Sequence, residues 1–185
     1  DYPIKNEDFD IDGEMRFIRR NKAKIKAISE VGLDFVQGEN RQQIEDFQKM
    51  IGLAKALNKP IIVHSRKAEE KVIQILEEYN LKKKIIMHCF CGKHKLVQRI
   101  RENEWYLSIP TSIVRDEHFQ KIVKETPIHL LMTETDSPFL SPYQGIKNEP
   151  SFVKEKIKKI AEIKRLPEID VETIILRNVK NLFGI

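Results

Sequence analysis

Five side chains able to bind a metal ion or move a proton stand at the ends of short apolar runs. Glu30 follows Lys26-Ala27-Ile28-Ser29, His64 follows Pro60-Ile61-Ile62-Val63, and His88 follows Lys84-Ile85-Ile86-Met87. Glu134 and Asp136 follow His129-Leu130-Leu131-Met132-Thr133. Imidazole nitrogens and carboxylate oxygens together make a mixed donor set that suits Zn²⁺ or Mn²⁺, with Mg²⁺ favoured where carboxylates dominate. One histidine at a strand end is more often a hydrogen-bonded structural residue than a ligand. Four such positions on one rim are hard to explain that way.

Other residues fall near the same ends. Arg66 follows His64 by two and suits bidentate capture of a phosphate, or equally a surface ion pair. Asp34 and the run Asn148-Glu149-Pro150 read as loop residues that orient ligands or cap turns. Phe35, Phe90, Phe139 and Tyr143 read as loop aromatics, able to stack on nucleobases or to pack. Cys89 and Cys91 admit a thiolate metal site, but two reduced thiols beside a strand end is the preferred reading. His129 opens its run, so it belongs at the opposite end of the sheet. His94 and His118 lie in basic and polar helical stretches and are read as surface residues.

The elements that must position these groups alternate. Four of the strand candidates are named above, and Trp105-Tyr106-Leu107-Ser108-Ile109 is the other. Three of the five are near-continuous apolar runs, as expected for strands buried on both faces of a parallel sheet. Between them Ile44, Phe47, Ile51, Ala54 and Leu57 recur at helical spacing, as do Val72, Leu76 and Tyr79, then Leu96 and Ile100, then Phe119, Ile122 and Val123. Two further helices carry Val153, Ile157, Ile160 and Ala161, then Val171, Ile174, Ile175, Val179 and Leu182, with Asp170 as the expected N-cap of the last. Strands separated by helices imply right-handed βαβ units and an α/β fold. In a parallel sheet all strand carboxyl ends share one side, so the five side chains should converge on the rim where α/β folds keep their sites.

Composition bounds the class. The 185 residues are 41% hydrophobic and 33% charged, which excludes a disordered chain and suits one domain, 1–185. No apolar run approaches the roughly 18–20 residues needed to span a bilayer. The acidic start, DYPIKNEDFD, lacks the order of a signal peptide, so a cytoplasmic location is expected. The net charge of +5 suits an anionic partner only weakly, since lysines such as Lys82, Lys83 and Lys84 read as a solvated turn.

Taken together, Ala-Ile-Ser-Glu30-Val-Gly-Leu-Asp34, Val-His64-Ser-Arg66, Met-His88-Cys-Phe-Cys-Gly92, Thr-Glu134-Thr-Asp136-Ser-Pro138 and Asn148-Glu149-Pro150 resemble the TatD-type metal-dependent deoxyribonucleases, in order and in approximate spacing. The likeness extends to the closing Asn178-Val-Lys-Asn-Leu-Phe183 and so covers nearly the whole chain. It implies a (β/α)₈ TIM-barrel metal hydrolase with two divalent ions (Zn, Mn or Mg) about 3.5–4 Å apart, DNA as substrate, and phosphodiester hydrolysis. By the same resemblance Glu30 bridges the ions, His64 and His88 bind one of them, and Asp136 binds the other and could hold the attacking water. That makes Glu30 and Asp136 the implied catalytic pair and Arg66 the substrate-binding residue. Another ester or amide, such as an aminoacyl-tRNA linkage, needs the same ligands, and a non-catalytic nucleic-acid-binding remnant is the alternative from a different class.

One departure limits the implication. The family opens with a His-x-His pair on its first strand, and this sequence contains none. Five of eight strands are visible, and the match begins at the family's fourth. A barrel of this kind typically takes about 250 residues, so roughly sixty are expected ahead of Asp1. Taken as it stands, the chain is expected to hold one ion tightly and to cleave DNA poorly.

Overall fold

A computed structural model describes residues 10–81 and 83–185. Lys82 and the acidic start up to residue 9 therefore lie outside the described residues. In chain order the elements are α1 (Ile11–Arg20), β1 (Ile28–Asp34), α2 (Arg41–Leu57), β2 (Ile61–Arg66), α3 (Glu69–Tyr79), β3 (Ile85–Met87), α4 (His94–Glu102), β4 (Tyr106–Ile109), α5 (Glu117–Glu125), β5 (Leu131–Thr133), α6 (Val153–Lys164) and α7 (Glu168–Phe183). The five strands form one parallel sheet in the order β1-β2-β3-β4-β5. Adjacent parallel strands joined by helices are the repeating unit of a (β/α) barrel, and five of its eight strands are present among the described residues. No described helix is long and apolar enough to cross a membrane.

The core forms where the apolar periods meet. Phe47, Ile51 and Ala54 of α2, Val72 and Leu76 of α3, Leu96 and Ile100 of α4, and Ile122 and Val123 of α5 are buried in one cluster with Ile61, Val63, Ile85, Met87, Leu107 and Leu131 of the strands. All three residues of β3 are buried, as a continuous apolar run predicts. β2 instead alternates: Ile61, Val63 and Ser65 are buried, whereas His64 is half-buried and Arg66 exposed. His64 and Arg66 are two residues apart and so share one face of that strand.

Four expectations from sequence are corrected. β1 does not stop before Glu30 but runs through it to Asp34, which is a strand residue and not a loop one. Register shifts between Ile28 and Val31, and pairing then resumes with Val31 opposite Val63 and Gly32 opposite His64. Such a bulge breaks the polar–apolar alternation by which a strand is recognised, and it re-aims the side chain it carries. Gly32 permits the close approach that follows, since a Cβ there would lie 1.9 Å from the His64 carbonyl oxygen. His129 lies in a 3₁₀ turn ahead of β5, still at the end of the sheet away from the rim. Pro167, not Asp170, precedes α7, and Asp170 adds negative charge to the first turn, where the helix dipole favours it. α1, with Asp10 accepting from the Gly13 N–H at 2.8 Å, was not anticipated.

Candidate metal centre at the carboxyl rim of the sheet

Each strand delivers its group by simple backbone continuity. The His88 N–H donates to the Val63 carbonyl at 2.9 Å, which sets His88 one step beyond β3 and level with His64. The Glu134 N–H donates to the Ile109 carbonyl at 3.1 Å, placing Glu134 just past β5 beside the end of β4. The bulge in β1 brings Glu30 to the same place. Glu30 Oε1 then lies 3.4 Å from His64 Nδ1 and 3.2 Å from His88 Nε2. Asp136 Oδ1 is 4.0 Å from His88 Nε2, and Asp34 Oδ2 is 3.7 Å from His64 Nε2.

His88 is held from behind. Its Nδ1 lies 2.5 Å from Glu134 Oε2, which also accepts from the Ser108 hydroxyl. A carboxylate on Nδ1 fixes the proton there and turns Nε2, with its lone pair, toward Glu30 and Asp136. This is the carboxylate–histidine pairing that orients metal ligands. Sequence placed Glu134 at the rim but gave it no role of its own.

Burial disfavours ionisation of Glu30, but the neighbouring His64 and His88 outweigh it and hold its carboxyl below the ordinary value. Burial likewise opposes the charged form of His88. The bond to Glu134, with the charges of Glu134, Glu30 and Asp136, outweighs it and raises His88 to about 9. The rim is thus a site rich in negative charge, short of cations, and able to retain a proton where an ion would otherwise sit.

Polar atoms are left open here. Glu30 Oε1, Glu134 Oε1 and His64 Nε2 are buried and have no hydrogen-bond partner among the described residues. A buried carboxylate oxygen without a donor is costly. A cation facing Glu30 Oε1 and the two imidazoles would remove that cost. Donors each about 2.1 Å from one ion stand roughly 3.0–3.4 Å apart, close to the Glu30–His64 and Glu30–His88 separations. Among the described residues no group of three or more histidine, cysteine, aspartate or glutamate side chains is arranged to hold a metal ion. The donor chemistry and the pairwise spacing fit a divalent ion, and the set as a whole stands open.

The loop after β5 is fixed by Asn148. Its buried Nδ2 donates to Thr111 Oγ1 at 2.7 Å, the Thr135 carbonyl at 2.5 Å and the Phe139 carbonyl at 2.6 Å, while its N–H donates to the Pro138 carbonyl at 3.0 Å. Asn148 is therefore the orienting residue of its motif. Asp136, inside the clamped loop, has φ +59°, a strained setting for a non-glycine residue of the sort found at functional sites.

A cleft of about 520 Å³ opens over the rim, lined by His64, Arg66, His88, Asp136 and Phe139 with both cysteines. Of the four aromatics expected there, Phe139 is the most exposed, at 70%, and Tyr143 is also exposed. Phe90 is 1% exposed and Phe35 packs on the core, so both are packing residues. Tyr143 lies edge-on to Phe152. Cys89 and Cys91 are free thiols, and the Cys91 thiol donates to the Cys89 carbonyl at 3.2 Å. Away from the rim, His94 pairs with Glu125 at 3.2 Å and packs beside His118.

A parallel α/β sheet whose carboxyl rim gathers imidazoles and carboxylates defines the class of (β/α) proteins built to hold metal ions at strand ends. The family model described as TatD related DNase matches residues 4–184, and the chain belongs to that family. It is 38% identical over 180 residues to a metal-dependent hydrolase of Methanocaldococcus jannaschii, covering 97% of this chain and 71% of that one. It is 35% identical over 180 residues to the human deoxyribonuclease TATDN3, covering 94% of this chain and 65% of that one. The crystal structure of the Escherichia coli TatD homologue YJJV shares the fold, with a TM-score of 0.87 at 24% identity, over 98% of this chain and 72% of that one. The chain thus spans about two thirds of the length of the relatives it matches.

Proposed function

We propose that this chain carries the metal-binding and catalytic rim of a divalent-metal-dependent hydrolase that cleaves DNA phosphodiester bonds. The observation that carries the reading is His88, clamped on Nδ1 by Glu134 and turned with Nε2 toward the open carboxylate oxygen of Glu30. Relatives whose names describe metal-dependent hydrolases and deoxyribonucleases support it.

In this reading Glu30, His64, His88 and Asp136 are the residues that would hold the divalent metal. Divalent ions so held supply Lewis acidity toward the phosphoryl oxygens. The rest is done by the chain. Arg66, on the same strand face as His64, donates to a phosphate oxygen and sets its approach. Asp136, at the cleft, accepts a hydrogen bond from the attacking water and takes its proton on a carboxylate oxygen. Glu134 keeps His88 in the tautomer that leaves Nε2 free. The same reading places the protein in the cytoplasm, where Cys89 and Cys91 would stay reduced.

The test strips the protein with a chelator and adds back Mn²⁺, Zn²⁺ or Mg²⁺, with end-labelled DNA and aminoacyl-tRNA assayed in parallel. Ion-dependent cleavage of DNA, reversed by chelator, is expected even at low turnover. Deacylation of the tRNA without DNA cleavage, or binding of DNA with no cleavage under any of the three ions, would overturn the reading.

A further inference from the structure

Lys156 occupies a core position of α6. Val153, Ile157, Ile160 and Ala161 make the apolar face of that helix, and position 156 lies three residues after the first and four before Ile160. The lysine side chain is 0% exposed. A hydrocarbon of similar length would fill this space without a charge to desolvate. Burial pulls the lysine pKa down to about 7, although the Glu134 carboxylate opposes that shift. On packing grounds alone, a charged residue is a poor choice here.

What the lysine reaches explains its presence. Its Nζ donates to the backbone carbonyl of Glu134. The N–H of the same residue is bound to the Ile109 carbonyl at 3.1 Å, and its side chain grips His88 at 2.5 Å and takes the Ser108 hydroxyl. Glu134 is thereby held by β4 through its N–H, by α6 through its carbonyl, and by the rim through its carboxylate. Asp136 follows two residues later, and the Asp136 carbonyl accepts from the Phe139 N–H at 2.8 Å.

We propose that Lys156 is a positioning residue for the rim: by fixing the Glu134 carbonyl from below, it sets the Glu134 carboxylate on His88 and the approach of Asp136 to the ion that His88 faces. The inference rests on the metal-binding reading above and adds to it a residue from outside the rim. A strut that only joined α6 to β5 would matter for stability and leave metal affinity alone.

The test is Lys156→Met, measured by thermal unfolding, by calorimetric titration with Mn²⁺, and by steady-state DNA cleavage. The metal-free variant should unfold at the same temperature as the parent or higher, because a charge has left the core. It should bind Mn²⁺ about tenfold more weakly, the usual scale for loss of an outer partner of a ligand. Its kcat should fall while KM for DNA stays within about twofold. Parent-like Mn²⁺ affinity would overturn the proposal whatever the stability. If the methionine variant does not fold, Lys156→Leu carries the same titration; if neither folds, the lysine is a packing strut and the proposal fails. Should the parent bind Mn²⁺ yet cleave no DNA, the proposed activity falls while the affinity comparison still decides the role of Lys156.

Discussion

The two ends of the sheet carry different polar side chains and hold them in opposite ways. At the amino end, Lys59 donates to the Ile25 carbonyl at 2.8 Å, Lys55 to the Tyr79 carbonyl at 3.0 Å and Lys84 to the Asn58 carbonyl at 3.0 Å. Each cation there is tied to a chain turn that enters or leaves a helix or strand. At the carboxyl end, Glu30, His64 and Glu134 each keep one buried polar atom without a hydrogen-bond partner among the described residues. Satisfied polar groups stabilise the fold, whereas open ones cost stability and wait for a ligand.

Asn148→Ala should have the largest effect on the fold, because it strips the donor from three acceptors around the loop of Asp136, one of them the buried Thr111 hydroxyl. A loss of about 2–3 kcal/mol in chemical denaturation is expected, together with weaker metal binding. Full stability would show that the loop is held by other contacts.

A smaller effect concerns pH. The folded-state pKa of His88, about 9, lies above its ordinary value of 6.5. The stabilisation linked to His88 protonation is therefore fully present below about pH 6.5 and is lost as pH rises toward 9. Metal binding needs Nε2 unprotonated, so the gain in Tm on adding Mn²⁺ should widen across the same interval. A gain that is flat or shrinks from pH 6.5 to 9 would contradict the placement of His88 at the ion.

Much of this was legible in the sequence because it follows from chain continuity. A buried apolar run fixes a strand, and the polar residue just beyond it must emerge at the rim, which is how His64, His88, Glu134 and Asp136 were found. What escaped reading depends on tertiary partners. The role of Glu134 appears only once β3, β4 and β5 lie side by side and bring Ser108 and His88 to one carboxylate. Lys156 was invisible because a lysine within an apolar helical period reads as the solvent face. The end of β1 is obscured because its bulge disrupts the alternation, and the choice between stacking and packing at Phe90 stays open because sequence does not show which way a loop side chain turns. The TatD resemblance supplied roles for Glu30 and Asp136 that spacing alone could not.

The central claim is that Glu30 is the shared oxygen donor of the rim. It is tested most directly by calorimetric titration of Mn²⁺ into the parent, Glu30→Gln and Lys59→Met, all first stripped with chelator. The glutamine keeps the shape and removes the charge, and its affinity should fall by on the order of a hundredfold, at the upper end of the range for outer-partner losses and well beyond the about tenfold expected for Lys156→Met. Lys59→Met, at the opposite end of the sheet, should bind as the parent does. Parent-like Mn²⁺ affinity in Glu30→Gln would contradict the account.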